Sequence, residues 1–245
     1  MEHIPLGEWI RESGLSKSYV STASGVSRSS IHRIQHGDTD PSIGTLQELA
    51  IACGYELDVR FRRLADPLAA QAARFILEEG FTPDNSHQVD QWVNRFERVG
   101  LEDPVAIIEH AGRASGLLYL DKPSAYLRGE VDDLRLASAA DAAGAPWAIS
   151  GRTHLQLGIG HALKGVKVLW TEDPRLVATL LADTMKSARS PQTSTVVVAK
   201  ATPAVFQGSF KHQGINFVAP IQALIDGFSL GGDLAEAAQI IAREW

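Results

Sequence analysis

The side chains best spaced for chemistry in this 245-residue chain lie between positions 17 and 33. Arg28, Ser29, His32 and Arg33 recur at the one- and four-residue steps that put side chains on one face of a helix. Arginine carries a rigid fork of N–H donors that matches the O6 and N7 acceptors of guanine in the major groove. Ser27 precedes this run as an N-cap, with Ser30 one turn on. Lys17 and Ser18 open the preceding helical stretch, where unpaired backbone N–H groups and a cation can hold a phosphate. The candidate binding set is therefore Lys17, Ser18, Ser27, Arg28, Ser29, Ser30, His32 and Arg33, against the plainer reading of a solvated helix face. Arg60, Arg62 and Arg63 are either phosphate contacts or part of a solvated linker.

Other constellations fail on spacing. Glu172 and Asp173 are adjacent, so a strand would point them to opposite faces and not toward a shared magnesium ion. The strand before them, residues 166–170, has no Asp-x-Asp pair. His154 and His161 would share a helix face, but Gly158 and Gly160 interrupt it. Gly158-Ile159-Gly160 lacks the third glycine and preceding strand of a dinucleotide fingerprint. Ser150 lacks the elbow spacing of a hydrolase nucleophile. No catalytic residue, metal ligand or cofactor is expected. The single cysteine, Cys53, excludes an internal disulfide framework and a Cys-rich zinc site, and reads as a small buried residue.

These groups must be positioned by short helices. In residues 6–57 the apolar positions fall largely at three- and four-residue steps, broken at Ser13-Gly14, Ser24-Gly25, His36-Gly37 and Cys53-Gly54. Ser16, Ser27 and Ser42 suit N-caps. Residues 58–65 alternate briefly and read as a strand or an extended linker. Helical patterns follow at 67–79, 89–98, 104–114 and 132–143. From Pro146 the β-branched runs 166–171, 194–199 and a shorter 216–218 alternate with helical patterns at 153–158, 174–185, 220–228 and 233–243. The expected class is α+β in three parts: an all-α domain at 1–63, a helical linker region at 64–145 and a small α/β domain at 146–245.

Residues 15–37, LSKSYVSTASGVSRSSIHRIQHG, resemble the Cro/Xre-type helix-turn-helix, and the likeness extends over about residues 5–57. It implies a helix, a sharp turn at Gly25-Val26 and a recognition helix capped by Ser27. Independently, Ala23 and Gly25 are small enough for two helices to cross closely. Val20, Val26, Ile31 and Ile34 are placed to clamp the second helix to a core.

Residues 146–245 resemble the C-terminal domain of AbiEi-type antitoxins, the repressor halves of type IV toxin–antitoxin systems. The likeness rests on Ser150-Gly151-Arg152, on Val166 through Trp170, on Pro220-Ile221-Gln222 with Asp226, and on Leu230-Gly231-Gly232-Asp233. It implies a minimal nucleotidyltransferase-like domain without catalytic residues, autoregulation of an operon, and functional pairing with a nucleotidyltransferase-type toxin. The family's usual N-terminal module is a winged helix, which this chain replaces. Two alternatives are a small-molecule sensor, favoured by a pocket lined by Trp92, Trp147 or Trp170, and an enzyme with an appended DNA-binding domain. Trp147 and Trp170 read as core residues.

Composition bounds the rest. The chain is 44% apolar and 21% charged, a globular profile, with a net charge of −6. Residues 1–63 carry a net of −1, residues 64–145 a net of −7, and residues 146–245 a net of +2, so the acidity sits away from the candidate binding helix. No apolar run approaches a membrane span, and Met1-Glu2-His3-Ile4-Pro5 has no secretory pattern, so a reducing cytoplasm is expected. The expected partner is double-stranded DNA at an inverted repeat, read by two protomers. Homodimerisation is expected through residues 64–245, with Leu68, Ala72, Phe75 and Ile76, and Val89, Trp92, Val93 and Phe96, as candidate contacts.

Overall fold

The computed structural model describes residues 6–244 and divides into two compact units, residues 1–62 and 63–245. The N-terminal pentapeptide considered above lies outside the described residues.

The first unit holds α1 (Leu6–Ser13), α2 (Lys17–Ser24), α3 (Arg28–Gln35) and α4 (Ile43–Ala52). Each start after the first is chemically marked: the Ser16, Ser27 and Ser42 side chains accept hydrogen bonds from the N–H groups of Tyr19, Ser30 and Thr45. These caps satisfy donors that a helix start leaves unpaired, worth about 1 kcal/mol each. Leu6, Ile10, Val20, Ile31, Ile34, Leu49 and Cys53 close a common core. The Tyr55 ring stacks on Trp9 at 5.6 Å, and its hydroxyl donates to Glu12 at 2.6 Å, tying the chain beyond α4 back to α1. Residues 55–66 form neither helix nor strand, so the strand considered at 58–65 is absent within the chain.

The second unit is built on seven strands: β1 (Ala125–Arg128), β2 (Trp147–Gly151), β3 (Lys167–Thr171), β4 (Lys186–Ser187), β5 (Val196–Lys200), β6 (Phe210–His212) and β7 (Ile215–Phe217). Their order is β4-β1-β5-β3-β2-β7-β6. The β3–β5 and β2–β7 pairs are parallel and the others antiparallel. The helices are α5 (Leu68–Leu77), α6 (Ser86–Val99), α7 (Pro104–Ser115), α8 (Asp133–Ala143), α9 (Arg152–Ile159), α10 (Pro174–Leu180), α11 (Pro203–Phe206), α12 (Pro220–Leu230) and α13 (Gly232–Arg243). Every residue of β2 and β3 is buried, the pattern of strands covered on both faces. Leu169, Val196 and Val198 face one cluster with α8 and α10. Val168, Trp170, Val197 and Ala199 face another with Ala223 of α12.

The expected boundary at residue 145 does not separate two bodies, and residues 64–145 are not a linker. Ala72, Val89, Phe96 and Ile108 share one core with Leu155, Ile225 and Leu234. β1 also lies inside the sheet, between β4 and β5. The α7 and α12 backbones approach so closely at Gly112 that an added Cβ would lie 2.5 Å from Phe228 Cβ and 2.6 Å from the Ile225 oxygen. Arg74 of α5 is almost fully buried. Its guanidinium donates to the Ala204, Val205 and Gln207 carbonyls and to Glu78, and lies over the Phe81 ring. Of the expected dimer contacts, Leu68, Ala72, Val89, Trp92, Val93 and Phe96 pack into this unit's own core, leaving Phe75 and Ile76 exposed.

Candidate nucleic-acid interface

The turn between α2 and α3 is fixed by three residues, Ser21, Ser24 and Gly25. Gly25 adopts φ +68°, which lets the chain reverse between the helices. An added Cβ would meet nothing within 4 Å there, so the glycine is needed for its backbone angle and not for the close crossing expected of it. Ala23 is exposed, and the small buried residue is its neighbour Ser24. The Ser24 hydroxyl donates to the Val20 carbonyl at 2.7 Å and accepts from the Val26 N–H. Ser21 donates to the Val26 carbonyl at 2.7 Å. Two serine hydroxyls thus pin the turn, a role the sequence reading missed. Serine's habit of bonding nearby backbone was the available signal.

Helix α3 presents two opposite faces. Ile31 and Ile34 are buried against the core, while Arg28, Ser29, Ser30, His32 and Arg33 are exposed. The Ser27, Ser29 and Ser30 hydroxyls cluster at its start, with Ser27 Oγ 2.9 Å and 2.8 Å from the other two. The His32 ring stacks on that of His36 at 4.1 Å, and His36 Nδ1 lies 2.8 Å from the His32 carbonyl oxygen. One face of His32 is therefore covered, whereas among the described residues neither arginine on this face is drawn into an ion pair. Lys17 and Ser18 are exposed in the first turn of α2. An exposed polar stripe on a helix clamped from behind can enter a groove without unfolding anything.

The second unit gathers its titratable groups differently. Asp226 is fully buried; it accepts from Trp170 Nε1 and Gln222 Nε2, each at 2.8 Å. Burial raises its pKa to about 6, against the lowering effect of these bonds and of Arg74. The Ser150 hydroxyl sits near enough to lower that value, yet has no partner at good hydrogen-bond geometry. His154 lies edge-on to Phe210 and Phe217, and burial lowers its pKa to about 4. His161 lies beyond Gly160, outside α9, so the two histidines do not meet on one helix. Asp173 caps α10 by accepting from the Leu176 N–H. Among the described residues no three His, Cys, Asp or Glu side chains converge on a metal position. Trp147 and Trp170 are core residues, bonded to Asp141 and Asp226, and Trp92 donates to Asp66.

The two buried groups give opposite pH dependences. Asp226, with its folded pKa raised from 3.8 to about 6, adds stability as pH falls below 6. His154, with its folded pKa lowered from 6.5 to about 4, withdraws stability as pH falls from 6.5 toward 4. Each change amounts to about 2 kcal/mol between pH 7 and 4.5, so they largely offset. Urea midpoints should therefore fall more steeply on acidification in Asp226→Asn than in the parent chain, and less steeply in His154→Phe. Parallel curves for all three would contradict the assignment.

Residues 6–59 match the Helix-turn-helix family, a DNA-binding module of transcription regulators. No curated protein and no solved structure matches the chain. No helix among the described residues is long and apolar enough to cross a membrane.

Proposed function

We propose that this chain is a sequence-specific DNA-binding repressor in which α3 reads base edges in the major groove and the start of α2 holds the backbone. The observation that carries the reading is the exposed Arg28, Ser29, His32 and Arg33 face on a Ser27-capped helix whose other side is locked by Ile31 and Ile34. Lys17 and Ser18 are the phosphate contacts, and the Ser27, Ser29 and Ser30 hydroxyls clustered at the start of α3 are further donors. Selection from random duplexes with the full chain tests this. It should enrich an inverted repeat whose half-sites lie about one helical turn apart. No enriched sequence would overturn the reading. On the selected site, Lys17→Ala should weaken binding to all sequences alike and reduce the salt slope by about one.

For the second unit we propose the antitoxin role that the AbiEi resemblance implies, without catalysis of its own. In support, β2 ends at Ser150-Gly151, α9 begins at Arg152, and Pro220, Gln222 and Asp226 fall on one helix, in the order of that resemblance. Strand β3 carries Lys167, Val168, Leu169, Trp170 and Thr171, and so offers no carboxylate to a metal. Repression of a neighbouring nucleotidyltransferase-type toxin gene, and rescue from its toxicity, would support the role. Loss of rescue in a chain that still represses would separate the two activities.

A second reading, a ligand-responsive regulator, rests on a cavity of about 290 Å³ lined by His154, Leu155, Pro220, Ala223, Leu224 and Ile241, and not on the tryptophan-lined pocket expected of it, since Trp92, Trp147 and Trp170 do not line this cavity.

A further inference from the structure

Helices α9, α12 and α13 of the second unit leave the 290 Å³ cavity between them, and its apolar walls carry one polar ring, that of His154. Leu155, Ala223 and Leu224 are buried, whereas Leu157, Gly158 and Pro220 are exposed, so the cavity has an entrance. His154 itself is only 7% exposed. Neither of its ring nitrogens has a hydrogen-bond partner among the described residues, and Nδ1 is sealed from solvent as well. The edge-on contacts with Phe210 and Phe217 account for a ring at this place, and phenylalanine would make them equally well. They do not account for the nitrogens, because a buried polar atom left unpaired costs stability. With Nδ1 closed off, Nε2 is the nitrogen that a molecule in the cavity would meet.

The walls define that molecule by charge, hydrogen bonding and size. No lysine, arginine, aspartate or glutamate lines the cavity, so a charged group would leave water without compensation. Burial holds the imidazole neutral at pH 7, so one nitrogen donates and the other accepts. A hydroxyl also does both and serves either tautomer, which a carbonyl cannot. An apolar cavity of about 150 Å³ takes benzene, so this one has room for one substituted ring.

We infer that this cavity binds a small uncharged phenol, one ring in size, with its hydroxyl on His154 Nε2. The inference rests on the ligand-responsive reading and deepens it by naming the class of ligand. Its test measures binding to the free chain. That reading fails on a separate result, a bound phenol that leaves affinity for the selected duplex unchanged.

Isothermal titration of the full chain at pH 7 should show one phenol bound per chain, toluene bound as well, and benzoate bound at least tenfold more weakly than phenol. In His154→Phe the ratio of phenol to toluene affinity should fall at least tenfold, because the hydroxyl then enters an apolar cavity without a partner. His154→Gln, which keeps a donor and an acceptor, should hold most of the ratio. The parent chain supplies a readout that needs no variant. Phenol, and not toluene, should shift the side-chain nitrogen resonances of one histidine that is still neutral at pH 5. No binding of phenol at millimolar concentration would overturn the inference. So would benzoate bound as tightly as phenol, an unchanged ratio in His154→Phe, or histidine resonances that phenol does not move.

Discussion

Replacing Arg28 and Arg33 together with alanine should abolish discrimination between the selected site and random DNA while leaving the fold untouched. Both side chains are exposed, and neither takes part in the α3 core of Ile31 and Ile34, so no stability should be lost. Each guanidinium directed at a guanine contributes about 1–3 kcal/mol of preference. Removing both should cost about 2–6 kcal/mol on the preferred site, and much less on non-specific DNA, where phosphate contacts dominate. Competition binding at fixed salt measures this directly. Unchanged preference in the double variant, with helicity intact, would displace α3 as the reading element.

The largest effect on stability should come from Arg74→Ala. Its guanidinium is 1% exposed and serves three carbonyls near the end of α11, the Glu78 carboxylate and the Phe81 ring. Truncation strips those carbonyls of the guanidinium, leaving Ala204 only its bond from the Gln207 N–H, and leaves a carboxylate without its cation; breaking such a buried pair typically costs about 3–5 kcal/mol. It also removes a positive neighbour that lowers the Asp226 pKa, so that value should rise further. Calorimetry should show the second unit melting earlier while the first unit's transition stays in place. A shift in both transitions would contradict the division into two units.

The first unit was largely legible because its signals are local. A capping serine speaks to a backbone N–H three residues away, and a positive-φ glycine marks its own turn. Ser16, Ser27, Ser42 and Gly25 therefore stand where the sequence placed them. The miss there was equally local: Ala23 was assigned the buried place that Ser24 holds, because both are small and adjacent. The second unit was harder to read because its decisive contacts span long separations. Arg74 binds carbonyls some 130 positions later, and nothing in the alanine-rich helix around it marks that reach. Strands β1 and β2 were missed as well. The four residues of β1 gain meaning only from β4 and β5, and β2 hides in the run Trp147-Ala148-Ile149-Ser150-Gly151, whose end reads as a turn. That end is a turn too: Gly151 sits at φ +67°, and an added Cβ there would lie 2.6 Å from the Val166 oxygen.

The lone thiol gives the molecule a built-in clock. Cys53 is sealed in the core of the first unit, and burial raises its pKa, so an alkylating reagent must wait for that core to open. The labelling rate of the natural chain thus counts excursions of the helix-turn-helix unit alone, blind to events in the larger unit. Bound operator should slow that clock in proportion to its occupancy, turning a single sulfur into a gauge of how firmly DNA holds the four helices shut.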